Sequence, residues 1–229
     1  MFLRIAKEIP SFFTYYNIVF LLKAMLGTFI LSSVGCSLGF VVGFLLVVIR
    51  RTTSRGLLPA RILSTTFIEF FRRVPFLVTL LLVFFFFRAF NVDLSVFSVA
   101  LFSVCFIATA YIPEITRAGL DSVHQTQWDA AAVMNLNLCQ TLSMVIMPQA
   151  WKVILPPAFS FFLVFIKDTA LASQIGVIEL TYAGKVFNNK GFAPALAFGT
   201  VLVLYFMLSY PLARFGKWME GYLIVSRHR

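Results

Sequence analysis

The stretch TQWDAAAVMNLNLCQTLSMVIMPQAWKVILPP, residues 126–157, is the one long polar interruption of an otherwise apolar chain. Its spacing predicts two short helices. Thr126 is the expected N-cap of the first, with Asp129 three residues on to complete a capping pair. Ala130, Ala131 and Ala132 follow, the best helix formers available, and they leave a smooth, low-relief face. Asn135 is placed where the chain must turn, and Asn is one of the few residues that accepts the left-handed conformation. Asn137 and Gln140 repeat the capping spacing for a second helix, which Pro148 is expected to end. Leu138, Leu142, Val145 and Ile146 fall on one face of that helix.

What surrounds this stretch is membrane-like. Of 229 residues, 60% are hydrophobic and only 12% charged, far from the balance of a soluble domain. The net charge of +10 invites a nucleic-acid reading, but the basic residues gather at the ends of apolar runs, where they set orientation. The 28 Phe residues are chiefly lipid-facing bulk, the Phe84–Phe87 run included. Cys36, Cys105 and Cys139 stand singly, without metal or disulfide spacing, and read as small buried hydrophobes. A cleavable signal peptide is not expected, since Arg4, Lys7 and Glu8 interrupt the apolar start.

Residues 1–25 read as amphipathic, with Phe12, Phe13, Tyr15 and Tyr16 suited to an interface. Leu26–Ile49, Leu94–Pro113 and Gly191–Ala213 are uncharged and long enough to cross, a span needing about 20 residues. In the first of these Gly27, Ser32, Ser33, Gly35, Gly39 and Gly43 permit close helix approach. Val74–Phe87 and Val153–Ile166 each offer only fourteen uncharged residues. To cross, the former must take in Glu69, Arg72 and Arg73; the latter is stopped by Lys167 and Asp168 before Thr169–Ile178 resumes. The expectation is an all-α polytopic membrane protein with five transmembrane helices, a single domain over residues 1–229 and no internal repeat.

Five spans put the ends on opposite sides. With the 50–61 loop, the 114–152 loop and the C-terminus inside, ten Lys and Arg lie inside against six outside, so the N-terminus is expected outside and the C-terminus in the cytoplasm. A small-faced helix–turn–helix standing between spans on the cytoplasmic side is then a docking knob.

Charge at bilayer depth costs about 2.5–3.5 kcal/mol on insertion scales, so Glu69, Arg72, Arg73, Lys167 and Asp168 need partners or water. Glu69 and Arg72 are three apart and share a face; Arg73 is the best placed to snorkel. Short or interrupted spans are the sequence pointer to a transporter's midplane site, and a zwitterionic amino acid needs both a cation and an anion. The competing reading is a structural network of mutual ion pairs.

The spaced pattern of Asp129, Ala130, Ala131, Asn135 and the Ile146–Met147–Pro148 end resembles the EAA loop of ATP-binding cassette (ABC) importer permeases. Asp129 stands for the usual Glu, and Asn135 for the usual Gly. EFFRRVP at Glu69–Pro75 and KDTAL at Lys167–Leu171 are similar to two signature stretches of permeases for polar amino acids, the histidine/glutamine/arginine class. Arg73 departs from the Gly usual there. The resemblance runs from Gly27 and Thr28 to about Trp218.

It implies a type I (MetI-like) importer permease fold and a coupling loop over about 121–156. Trp128, Asp129, Ala130, Ala131, Asn135, Ile146 and Pro148 would meet an ABC ATPase subunit, and Glu69, Arg72, Lys167 and Asp168 would line the substrate path. It implies a second permease, identical or related, an extracytoplasmic solute-binding protein, the bacterial inner membrane, and neither cofactor nor metal.

No Gly-x-x-x-x-Gly-Lys phosphate loop occurs, so ATP hydrolysis would fall to a separate subunit. An intramembrane enzyme is the rival from another class, but His124 and His228 lie outside the spans and no Gly-x-Ser-x-Gly elbow appears. A stand-alone ion-coupled carrier or channel would explain the intramembrane charges and leave the Asp129–Pro148 loop without a purpose.

Overall fold

The computed structural model describes residues 2–52 and 54–225 and is helical throughout, with no strand among them. Helix α1 is Phe2–Phe12, α2 Tyr15–Arg51, α3 Leu58–Phe71, α4 Phe76–Ala89 and α5 Val96–Asp121. A short α6, Gln125–Val133, and α7, Leu138–Gln140, precede α8, Met147–Asp168. Then come α9, Leu180–Asn189, and α10, Pro194–Val225. Among the described residues four stretches are long and apolar enough to cross a membrane: Tyr15–Arg51, Val96–Asp121, Leu138–Ile175 and Pro194–Leu223. Arg55–Phe71 with Phe76–Ala89 makes a fifth only as a broken pair.

Three sequence expectations change. The first span begins at Tyr15, not Leu26, and carries Lys23; its 37 residues measure about 55 Å at 1.5 Å per residue, well beyond a hydrocarbon core of about 30 Å. The charges Glu69, Arg72 and Arg73 do not extend a continuous helix into α4. Pro75 caps α4 instead and drives Val74 out of the helical region, so the charges sit at the joint. Pro148 does not end the second loop helix. A π-helical stretch, Thr141–Ile146, carries α7 directly into α8. Pro148 has no N–H for the Met144 carbonyl one turn back, and a widened turn ahead of the ring absorbs that defect.

Two compact units emerge, with α2, α5, α8 and α10 contributing residues to each. The first comprises Met1–Cys36, Pro75–Cys105 and Phe162–Ala213. Its core joins Phe12, Leu21 and Ala24 to Ala183, Phe187 and Ala197. Phe12, expected at an interface, is buried with its ring 4.8 Å from that of Phe187, whereas Phe13, Tyr15 and Tyr16 are exposed. At Gly27 any Cβ would stand 2.6 Å from the Ile178 carbonyl oxygen, so only glycine lets α2 approach there.

The start of α9 is buried, and all four of its leading N–H groups are satisfied. Leu180 N–H donates to Thr28 Oγ1 at 3.1 Å. The Glu179 carboxylate accepts from Thr181 N–H at 2.8 Å and Tyr182 N–H at 2.6 Å, and Ala183 N–H reaches the Glu179 carbonyl at 2.9 Å. Tyr205 Oη also donates to Glu179, at 2.8 Å. Burial pushes the Glu179 carboxyl up from its ordinary value, against the pull of these donors.

The second unit comprises Ser37–Val74, Phe106–Phe161 and Arg214–Arg229. Val47, Leu120, Val123, Leu142, Ile146, Ala150 and Ile154 form its core, with Trp128 and Val145 packed against it. Gly119 lies directly against Ile154, and Gly43 against Ile112 and Pro113.

Candidate functional site

The 126–157 stretch belongs wholly to the second unit and is held by local chemistry at each bend. His124, not Thr126, caps α6: its Nδ1 accepts the Thr126 N–H at 3.3 Å, and Thr126 lies inside the helix. The end of α6 is a left-handed turn at Asn135, φ 55°. Asn135 N–H donates to Ala132 O at 2.9 Å and Leu136 N–H to Ala131 O at 3.1 Å, the paired closing bonds of a Schellman motif. Asn137 and Gln140 then form a reciprocal capping box, with bonds of 2.9 and 3.0 Å. The turn gives a direct test. Asn135→Gly is expected to leave the thermal midpoint of the protein within about 1 °C, since Gly accepts the same φ freely. Asn135→Ile is expected to cost about 1–2 kcal/mol; equal midpoints for the two variants would mean that the turn carries no strain.

Between these bends the hook presents an outer face that the alanines alone did not predict. Ala131 points inward and is 1% exposed, whereas Asp129, Ala130 and Ala132 face solvent. Val133 is 88% and Met134 70% exposed, joined by Met144 and the rim of Leu138. Ile146 is buried in the unit's core and Pro148 is exposed, so the residues of the matched pattern divide between an inner and an outer surface. Gln125 Nε2 holds the Asp129 carboxylate at 3.1 Å.

The hook is rooted through Trp128. The Arg51 guanidinium, at the end of α2, lies 5.0 Å from the centre of the indole ring and pairs with Asp121 at the end of α5. A cation over an indole face is attracted by the ring quadrupole, by about 0.5–2 kcal/mol according to desolvation. One arginine therefore ties α6 to the ends of two spanning helices. Reading Arg51 only as an orientation-setting charge missed this role.

The charges expected in the spans pair differently from their spacing. Glu69 bonds Arg73 at 2.9 Å, four residues on, rather than Arg72. Arg72 turns to Glu114 at 3.5 Å, and its carbonyl accepts the Tyr111 hydroxyl at 2.9 Å. Glu114 also meets Arg50 at 3.5 Å and Arg117 at 2.9 Å, so one carboxylate faces three guanidinium groups. Lys167 and Asp168 close α8 in the first unit, and neither side chain makes a hydrogen bond or ion pair among the described residues. Thus Glu69 and Arg72 belong to one unit and Lys167 and Asp168 to the other. Glu114 escaped the sequence reading because the uncharged span ends at Pro113, one residue before it, while α5 runs on to Asp121.

No group of three or more His, Cys, Asp or Glu side chains is placed to hold a metal among the described residues. Cys36 is buried as expected, but Cys139 is exposed. His124 is exposed and serves as a cap, and His228 lies outside the described residues.

Comparison with known proteins gives a consistent result. Residues 56–214 match the family described as the binding-protein-dependent transport system inner membrane component. The glutamine transport system permease protein GlnP of Escherichia coli (strain K12) is 32% identical over 186 residues, covering 80% of this chain and 83% of that protein. The L-cystine transport system permease protein TcyB of Bacillus subtilis (strain 168) is 38% identical over 144 residues, 62% of each. The crystal structure of an amino acid ABC transporter with histidines superposes with a TM-score of 0.81 at 23% identity, covering 90% of this chain and 95% of that one.

Proposed function

This chain belongs to the family of binding-protein-dependent transport system inner membrane components, and from that premise we propose that it is the membrane-spanning permease subunit of an ABC importer for polar amino acids. The family is a multi-pass membrane transport component, not an enzyme, and the reading as a stand-alone carrier is set aside with it. The substrate class is supported by the relatives, whose names give glutamine in one case and cystine in another. Both carry zwitterionic amino-acid groups.

The observation that carries the mechanism is the hook at 125–146. It is closed by hydrogen bonds at both bends, rooted on Arg51, and apolar at its outer face. An ATPase subunit docks on that face, within a coupling loop over about 121–156. ATP-driven closure of the ATPase pulls the hook, and the Arg51–Trp128 contact hands that motion to α2 and α5. Because the chain acts as one permease domain over 1–229, coupling requires that both ends discriminate between the two states. The loop, and with it the C-terminus, faces the cytoplasm, as the ten-to-six Lys/Arg asymmetry favours. A second permease, identical or related, completes the pathway, and an extracytoplasmic solute-binding protein delivers the substrate.

Along that pathway Lys167 and Asp168 offer a cation and an anion not engaged in ion pairs among the described residues, suited to the two ends of a zwitterion. Arg72 and Glu69 contribute from the joint between α3 and α4. The test is uptake of radiolabelled glutamine and cystine by proteoliposomes holding the whole importer, with and without ATP. Uptake is expected only with ATP. Asp168→Asn is expected to lower it at least about tenfold, a loss of one charge-assisted contact, with the ATPase still bound. Arg72→Gln should act likewise and leave basal ATP turnover in place. ATP-independent uptake would refute the importer reading, and normal uptake in both variants would refute the pathway assignment.

A further inference from the structure

Beside the hook's root lies a second feature to which the proposed function gives no role. Arg50, from the end of α2, and Leu58, Arg61, Ile62, Thr65 and Thr66, from α3, line a cavity of about 400 Å³ in the second unit. Among the described residues no carboxylate lines it. The Arg61 guanidinium has no ion pair or hydrogen bond among the described residues, and Arg50 has only a share of Glu114, at 3.5 Å, in competition with Arg72 and Arg117. Glu114 and Asp121 are shared among Arg50, Arg51, Arg72 and Arg117, and Arg61 pairs with neither, so cations outnumber carboxylates at this corner. Thr65 already donates its hydroxyl to the Arg61 carbonyl at 2.8 Å. The Thr66 hydroxyl makes no such bond among the described residues and is free to donate. The remaining wall is apolar and open: Leu58, Ile62 and neighbouring Leu63 are all exposed.

We propose that this cavity binds the phosphodiester headgroup of an anionic phospholipid. Two guanidinium groups supply the planar, forked donors that match phosphate oxygens, Thr66 adds a hydroxyl donor, and the exposed leucine and isoleucine side chains lie against the acyl chains. Basic pockets between spanning helices are where such headgroups are retained. A soluble anion would have no use for the apolar wall, and a neutral lipid would leave the charge uncompensated. Because Arg50 adjoins Arg51, a bound lipid sits one residue from the anchor of Trp128, so its occupancy would stiffen the root of the hook. The inference needs only that the chain spans a membrane, and stands whether or not the hook docks an ATPase.

The test uses the full chain, in the assembly in which it purifies, reconstituted into phosphatidylcholine vesicles containing spin-labelled phosphatidylglycerol or spin-labelled phosphatidylcholine. Phosphatidylglycerol is expected to associate in preference. Arg61→Ala is expected to reduce that preference roughly fivefold, Arg61→Lys by less, and Thr66→Asp, at an exposed position that should fold normally, by at least as much as Arg61→Ala. Arg55→Ala, six residues before Arg61 and outside the cavity, should leave it unchanged. An equal fall with Arg55→Ala would reduce the effect to diffuse surface charge and overturn the proposal. Displacement of the labelled lipid by millimolar inorganic phosphate at matched ionic strength would identify a soluble-anion site instead, and no preference for phosphatidylglycerol, or none lost in Arg61→Ala and Thr66→Asp, would also overturn it.

Discussion

Val133→Asp is expected to abolish co-purification of the permease with its proposed ATPase and, with it, nucleotide-driven uptake. Val133 is 88% exposed at the end of α6, with Met134 at 70% beside it. In a polar loop, two adjacent apolar side chains that none of the described residues covers mark a contact surface. A central apolar anchor in such a contact is worth about 2 kcal/mol, so a single charge placed there weakens association about thirtyfold or more. Met134→Asp should repeat the loss. Because both positions are exposed, neither variant has reason to unfold: an unchanged thermal midpoint together with lost binding is the expected pair of results. Ala131→Glu makes the informative contrast. That side chain is buried, in a helix that packs on the Thr141–Ile146 turn, so a carboxylate there is desolvated without a partner. It should loosen the hook itself, seen as faster amide exchange across 125–146, and lose binding by that indirect route. Full ATPase binding by Val133→Asp would remove the hook's outer face from the coupling mechanism.

The division between what the residues revealed and what they hid follows the range of the forces involved. The left-handed turn at Asn135 and the Asn137–Gln140 capping box are satisfied within a few residues, so their chemistry is written locally and was readable as such. The same holds for the glycines of α2, whose small size has one use in a span. Burial of Ala131 was not readable, because three consecutive alanines look alike until a second helix covers one of them. Partner choice among the charges depends on folding as well. Arg72 lies three residues from Glu69 yet bonds Glu114, 42 positions on in the chain, and periodicity within one helix carries no signal of that. A charge does not end a helix here: Lys23 and Glu114 both sit inside helices longer than their uncharged runs. Such helices outrun the hydrocarbon and carry charge beyond it or into an ion pair. The turn from Thr126 to His124 as cap is a smaller case, since histidine is not among the favoured capping residues.

Glu179→Ala is expected to be the most destabilising single substitution in the first unit. Glutamate is an uncommon N-cap, and this one is fully buried. Its position is explained by the number of donors it serves at once: Thr181 N–H, Tyr182 N–H and the Tyr205 hydroxyl, within 2.6–2.8 Å. Truncation strands three donors where water cannot readily replace the oxygens, at about 1–3 kcal/mol each. Hydrogen bonds in membrane proteins often return less than this, so the expected loss is at the lower end, about 3 kcal/mol, measured as unfolding in detergent or as a fall in thermal midpoint. Glu179→Gln should recover part of it, because the amide oxygen still accepts while the amide nitrogen confronts an N–H. Tyr205→Phe removes one donor to Glu179 together with its need, and the Thr181 hydroxyl's partner at 3.2 Å, and should cost about 1 kcal/mol. Thr28→Val strands only Leu180 N–H and should fall between. The order Ala worst, then Gln, then the Tyr205 and Thr28 changes follows from counting unsatisfied donors. A Glu179→Ala protein as stable as Tyr205→Phe would show instead that burying the carboxylate costs as much as its three bonds return, and that α9 is held in place by Phe187 and its aromatic neighbours alone.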